Sequence, residues 1–297
     1  MAHAQALQAA AGTRAQPAIR RISPPDLLDA LSRGLQDFSA MPSHAVFLCV
    51  IYPIIGVVLA SATLGFNILP LLYPLAAGFA LAGPFAAVGL YEMSRRREAG
   101  LPVSFGRLYL SHLRSRWSIA GLGLVLLAIF LVWLAVAKEI YVANFGVLAP
   151  ASIGTFVHDV LFTSAGWNLI VVGNLTGLAF AIVVLAISVV SFPMLVDRDV
   201  GIGTAVLTSV RAVLANPLTM ALWGLIVAAL LFVGTLPLFL GLTVVLPVLG
   251  HATWHLYRKV VEPDASARGE EDDFAERPRR YAADFPVAVI YSLRDRE

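Results

Sequence analysis

Residues 118–137 read SIAGLGLVLLAIFLVWLAVA, with no ionisable side chain among them. As an α-helix this stretch reaches across the roughly 30 Å hydrocarbon core of a bilayer. A soluble core seldom takes a helix that is apolar on every face, so the stretch predicts a transmembrane span. Five further segments have the same character: 45–66 (AVFLCVIYPIIGVVLASATLGF), 70–91, 168–192, 217–236 and 237–257. Irregular backbone cannot face lipid, so the expected fold is all-α, a polytopic transmembrane bundle of six spans. Only a few residues around Asn67 join the first two segments, and the last two meet at Gly234 and Pro237. Such short joints predict helical hairpins, three in all. The stretch 147–165 would change the count to five or seven spans. It carries His158 and Asp159 and is interrupted by Pro150 and Gly154, so it reads as a short helix on the outer face.

Composition agrees. Of 297 residues, 59% are hydrophobic and 13% charged, against about a quarter charged in soluble domains. The single cysteine, Cys49, leaves no internal disulfide and no thiolate zinc site. The first 22 residues lack the apolar core of a cleavable signal, so no processing is expected. Of the 21 basic residues, Lys138 alone falls on the side of the 66–70, 138–167 and 234–237 connections. Basic loops stay cytoplasmic, which predicts a multi-pass membrane protein with both termini inside. The chain divides into a disordered tail (1–22), a membrane domain (23–261) and a mostly disordered cytoplasmic tail (262–297). That last tail ends in a short apolar patch, YAADFPVAVIYSL.

A threefold pattern runs through the membrane domain. Before each odd-numbered span comes an amphipathic segment: LLDALSRGLQDFSAMPSHAVFLC, FGRLYLSHLRSRWSIAGLGLV and TAVLTSVRAVLANPLTMALWGL. The first has a stripe of Leu28, Leu31, Leu35 and Phe38, with Asp29, Arg33 and Asp37 off it. The third offers Val206, Val210, Val213 and Leu214 with Arg211 between. Each reads as a cytoplasmic elbow, a helix lying in the headgroups that feeds a transmembrane pair. The second helix of each pair carries a proline before basic residues: Pro84, Pro193 and Pro247.

Four blocks, DALSRGLQDFSAMPSHAVFL, LLYPLAAGFALAGPFAAVGLYEMSRRREAG, SFPMLVDRDVG and VVLPVLGHATWHLYRKVVE, resemble a bacterial family of integral membrane proteins catalogued as domain of unknown function 2189. The resemblance extends over roughly residues 20–262. It implies a multi-span inner-membrane protein and brings no catalytic residues.

The residues that could carry chemistry are few. His44, His112, His251 and His255 share one depth at the cytoplasmic helix ends, and Glu92 ends the second span, so these five are the candidate metal or haem ligands. Against that stands the ordinary use of HATWHLYRK as an interfacial belt, and no HExxH-type motif is present. The run Arg95 to Arg97 reads as a lipid-headgroup contact that fixes topology, too short for nucleic acid. No Asp, Glu, Lys or Arg lies inside a span, which speaks against charge-coupled transport. Asn174, within GNLTG, is a packing contact or a cavity-lining polar group. No nucleotide loop, Ser-His-Asp arrangement or carboxylate pair points to an enzyme, and no cofactor is assigned. The expected partners are the bilayer, anionic headgroups and another membrane protein. Three roles remain open: a non-enzymatic assembly, envelope or accessory protein; a transporter or channel for a small neutral or amphiphilic solute; and a haem- or metal-binding respiratory accessory.

Overall fold

The computed structural model describes residues 17–42, 69–81, 83–103, 115–148, 150–237 and 239–263. The expected span 45–66, nearly all of the second elbow, His44, His112 and the tail from 264 lie outside the described residues.

Regular structure among the described residues is helical. In chain order the helices are α1 Pro24–Ala40, a 3-10 turn Leu69–Leu71, α2 Leu72–Leu81, α3 Gly83–Ala86, α4 Val88–Glu98, α5 Arg116–Phe145, α6 Ile153–Phe162, α7 Ser164–Ser188, α8 Ser191–Asp197, α9 Ile202–Ala215, α10 Pro217–Thr235 and α11 Leu242–Val260. Among the described residues, three stretches are long and apolar enough to cross a membrane: α5, the run Ser164–Asp197 that holds α7 and α8, and α10. Shorter apolar helices, α6 and α9 among them, accompany these.

Helix ends follow local chemistry. At α1, the Asp26 carboxylate accepts both the backbone N–H and the hydroxyl of Ser23 (2.9 and 2.7 Å), and prolines open the first turn. Ser152 caps α6 by accepting the Thr155 N–H at 3.1 Å, and Thr163 caps α7 by accepting that of Gly166 at 3.0 Å. The ambiguous 147–165 stretch therefore holds a separate ten-residue helix, none of whose residues is buried. Between α10 and α11 the chain reverses tightly. A Cβ on Gly241 would sit 2.8 Å from the Gly234 carbonyl oxygen, so only glycine fits there.

Prolines divide the later helices. The 70–91 segment is broken into α2, α3 and α4 around Pro84, and α7 gives way to α8 at Val189 and Val190, just ahead of Pro193. A proline cannot donate to the preceding turn, which is why the breaks fall here. Pro247 stays inside α11. Beyond these points α4, α8 and α11 converge, and Leu90, Met93, Phe192, Met194, Leu195, Trp254, Leu256 and Tyr257 fill the centre of the core.

The helices α1 and α9 flank that centre in the same register. Counting back from Pro42 and Pro217, Ala30 matches Ala205, Gly34 matches Ser209 and Asp37 matches Ala212, and all six are buried. The protein thus takes the small-residue face of each helix. Leu28 (66% exposed), Leu35 and Leu214 point outward. Small residues let backbones approach: a Cβ on Gly34 would lie 2.6 Å from the Ala252 amide nitrogen.

Residues 18–22, read from sequence as part of a disordered tail, have fixed partners. Arg20 N–H donates to the Val260 carbonyl (2.8 Å) and Glu262 N–H to that of Ala18 (3.1 Å), beside the Ile19–Val261 bridge. Asn216, at the α9–α10 corner, accepts the Ile22 N–H (2.8 Å) and donates to the Arg20 carbonyl (3.1 Å). The backbone groups of an extended segment need such partners, and Asn216 supplies two of them.

Candidate functional site

The charged ends of α1, α4, α8 and α11 carry several ionic clusters. The knot of the one that ties α1 to both α4 and α11 is Asp37. The buried face of α1 carries this carboxylate inward, where Oδ2 accepts from the Ser94 hydroxyl (2.5 Å) on α4 and from His255 Nε2 (2.8 Å) on α11. Its Oδ1 accepts from the Arg97 guanidinium, also on α4. One residue thus ties the first amphipathic helix to two others. Burial works against its charge, but the donors His255 and Ser94 outweigh it and hold the Asp37 carboxyl below the usual carboxylate range.

Ser94 passes the network on. Its oxygen lies 2.8 Å from Nδ1 of His251, which is completely buried. The serine proton is engaged by Asp37, so Nδ1–H must be the donor to Ser94. That fixes the neutral tautomer and leaves Nε2 as a bare acceptor. Among the described residues Nε2 has no hydrogen-bond partner.

Glu92 sits two residues before Ser94, toward the other side of α4, and is 1% exposed. It accepts from Arg95 (2.7 and 2.9 Å) and from Arg96 (2.7 Å). Burial penalises its charge, and the two guanidiniums overcome that penalty and depress its carboxyl. Around the periphery, the Tyr257 hydroxyl donates to Asp197 (2.6 Å), and Glu98 accepts from Trp254 Nε1 (3.0 Å) and Arg258 (3.1 Å). Lys259 bridges Asp26 and Asp29 at 3.1 and 2.9 Å. Hydrogen bonds from Ser23, reinforced by Lys259, lower the Asp26 carboxyl from its ordinary 3.8 to about 2.

Several readings from sequence change here. His251, Trp254 and Tyr257 are buried rather than lining an interfacial belt, because α1 and α4 cover that face of α11. The arginine run is spent inside the protein: Arg95 and Arg96 on Glu92, Arg97 on Asp37. Of the candidate ligands, His251 and His255 meet on the Asp37 network while Glu92 belongs to a separate arginine cluster. Among the described residues no group of three His, Cys, Asp or Glu is arranged to hold a metal ion. Sequence reasoning passed over Asp37, Ser94 and Asp197. Asp37 carried a faint signal, since it stands on the small-residue side of an otherwise leucine-striped helix.

The apolar half is built differently. Asn174 Oδ1 accepts from the Tyr73 hydroxyl (2.7 Å), and its amide donates to its own helix at Ile170 (2.7 Å). Trp133 Nε1 donates to the Pro74 carbonyl (3.0 Å), and a Cβ on Gly177 would stand 3.1 Å from the Trp133 ring. Asn144 accepts from Asn168 (2.8 Å). These bonds join α2, α5 and α7 to one another.

Residues 71–197 match the model of a family described as predicted integral membrane protein (DUF2189). The match is narrower than the 20–262 of the resemblance, and two of its four blocks fall outside it. No curated protein and no solved structure matches the chain. With the long apolar helices, the family match makes the chain a helical integral membrane protein.

Proposed function

We propose that the chain is a six-span protein of the bacterial inner membrane, non-enzymatic, that assists the assembly or upkeep of the envelope or of another membrane complex. Its spans pair into three hairpins, each led by a cytoplasmic amphipathic helix, with both termini inside. The observation that carries this reading is where the polar chemistry goes. At the charged end, carboxylates and bases of α1, α4, α8 and α11 are consumed by one another. In the apolar half, Asn174, Tyr73, Trp133 and Asn168 bond helix to helix. What such a molecule offers outward is apolar surface, and that favours lipid and other membrane proteins as its partners over a soluble substrate.

The threefold arrangement is supported by the shared burial register of α1 and α9. The pairing of residues 18–20 with 260–262 brings the flanks of the membrane domain side by side, as a common compartment requires. Outward leucines on α1 and α9 suit a monolayer surface, with anionic headgroups next to the basic residues.

Affinity purification of the full chain from native membranes in mild detergent, followed by mass spectrometry, tests the role. A membrane protein retained in stoichiometric amount is the expected result. Recovery of the chain alone, together with solute flux through proteoliposomes, would replace this reading with the transporter. Protease added outside spheroplasts should spare tags at both termini; clipping at one end refutes the six-span map.

A further inference from the structure

The long helices that share one core are of two lengths. From α5, Ile119 and Leu122 enter that core, and from α10, Met220 and Trp223. α5 has 30 residues and the run Ser164–Asp197 has 34, whereas α10 and α11 have 19 each. At about 1.5 Å per residue α5 is about 45 Å long and α10 about 28 Å, against a hydrocarbon core of about 30 Å. One side of the protein fits a bilayer and the other overshoots it. Tilting does not reconcile them. Laying α5 into about 30 Å takes a tilt of about 48°, beyond the roughly 0–40° of membrane helices, and cuts the reach of an α10 tilted with it to about 19 Å.

The overshoot lies at the end of α5 away from the ionic clusters, and it is apolar. From Trp117 to Lys138 the helix already covers about 31 Å. Past Lys138 come the last turns of α5, the loop to α6, α6 itself and the start of α7, where Val147, Leu148, Ile153, Phe162 and Trp167 are exposed. This region is firmly built. Asn168 donates to Asn144 (2.8 Å), the rings of Tyr141 and Phe156 lie 6.3 Å apart, and the backbone of Asp159 and Val160 leaves no room for a Cβ at Gly166. On α6, Ile153, Val157 and Leu161 stand four residues apart and all are exposed, which makes one apolar stripe. The helices that hold α6 are the ones that cross the membrane, so lipid is the apolar phase within its reach. Burying one large apolar side chain outweighs several ångströms of bilayer thickening, so drawing lipid up over this region costs less than leaving it in water.

We propose that α6 and the adjoining ends of α5 and α7 form a lipid-binding surface that thickens the bilayer on one side of the protein and selects phospholipids with long acyl chains. Lys138 reaches the raised headgroups along its own alkyl stem. Beside α10 and α11 the bilayer keeps its resting thickness, so the protein sets a step in the membrane across its own width. The inference holds for either orientation of the chain.

Full-length protein in lipid vesicles carries its own reporters. Trp133, Trp223 and Trp254 are buried, whereas Trp117 and Trp167 are exposed. In Trp117→Phe the lipid-facing signal comes from Trp167. Adding Trp167→Phe and Leu225→Trp moves the reporter to α10, where Leu225 is exposed. The vesicles hold equal parts of phosphatidylcholine with chains of about 14 and about 22 carbons, and bromine on one or the other lipid quenches fluorescence. Bromine on the long chains should quench Trp167 about threefold more than bromine on the short ones, while the α10 reporter should differ by less than about 1.3-fold. Ile153→Asn with Leu161→Asn, both at exposed positions, should bring the Trp167 ratio below about 1.5 and leave the α10 reporter as it was. Equal quenching of Trp167 by the two lipids overturns the inference, and so does the same selection at α10. A Trp167 that neither lipid quenches also overturns it, and places the surface in water or against another protein. A Trp167 ratio unmoved by the double variant removes α6 from the surface and the inference with it.

Discussion

Helices α1 and α9 are the same object carried to two different ends. Both bury the positions matched by Ala30 and Ala205, Gly34 and Ser209, Asp37 and Ala212, and both turn larger apolar side chains outward. At the middle position α1 has no side chain and lies directly on the α11 backbone. At that position in α9 the Ser209 hydroxyl accepts the Val190 N–H (3.2 Å), one of the amides freed where α7 breaks into α8. At the last position α1 carries the knot of the ionic network and α9 a methyl group. The pattern supplies a seam of small residues. What is done with the seam is added copy by copy.

Exchanging the two chemistries tests that division. The largest effect is expected at Gly34. Gly34→Val, or even Gly34→Ser to imitate α9, drives Cβ against the amide of Ala252 and the carbonyl of Val248, neither of which can rotate away. The cost should be about 3 kcal/mol or more, with Ser and Val similar because the clash begins at Cβ. Reversible unfolding in mixed micelles measures it. A loss below about 1 kcal/mol for both would mean that α1 does not lie so close to α11.

Asp37→Ala, which gives α1 the residue of α9, comes next. Removing one member of a buried ionic group costs about 3–5 kcal/mol, and the lower end applies because Arg97 is 40% exposed and can turn to water. The converse change, Ala212→Asp, places a carboxylate in a seam that has no base to receive it among the groups bonded there, and should destabilise at neutral pH while recovering in acid. Equal effects at the two sites would erase the distinction between structural seam and ionic knot.

Much of this was legible in the residues, and the boundary of legibility has a physical cause. Long apolar runs announce themselves, so α7 and α10 were readable to within a few residues, and so was the start of α5, which runs on past the expected end at 137 to Phe145. The prolines announced the breaks. The face each amphipathic helix gives to the protein was not legible, because the conspicuous leucines point away and the contact is made by Ala30 and Gly34, whose signal is their smallness. The histidines drew notice for their spacing, yet their surroundings depend on Asp37 and Ser94, which lie far away in the chain and come close only through packing. A periodicity argument sees one helix at a time.

The pH dependence of α1 starts at its first turn. Asp26 holds the first turn of α1, and its carboxyl is lowered from 3.8 to about 2 in the folded protein. A depressed carboxylate stabilises fully above its unfolded value and loses that contribution as pH falls through its folded value. Asp26→Asn should therefore lower stability by a constant amount above about pH 4, with the gap to the parent closing toward about pH 2. The matching end of α9 begins at Gly201 and has no such cap, so no comparable window exists there.

The smallest effect is expected on the outward faces. Leu28 and Leu35 touch little of the protein, so replacing both with serine should change stability in detergent by no more than about 0.5 kcal/mol. In lipid the same pair should matter, because two apolar side chains withdrawn from the acyl boundary weaken the hold of α1 on the monolayer. Unfolding in detergent and hydrogen exchange in nanodiscs, run side by side, separate the two. A loss in lipid alone assigns the leucine face to the membrane. A loss in detergent as large as that at Asp37 would instead give those leucines a protein partner, and the division of α1 into a small-residue face for the fold and a leucine face for the bilayer would fall with it.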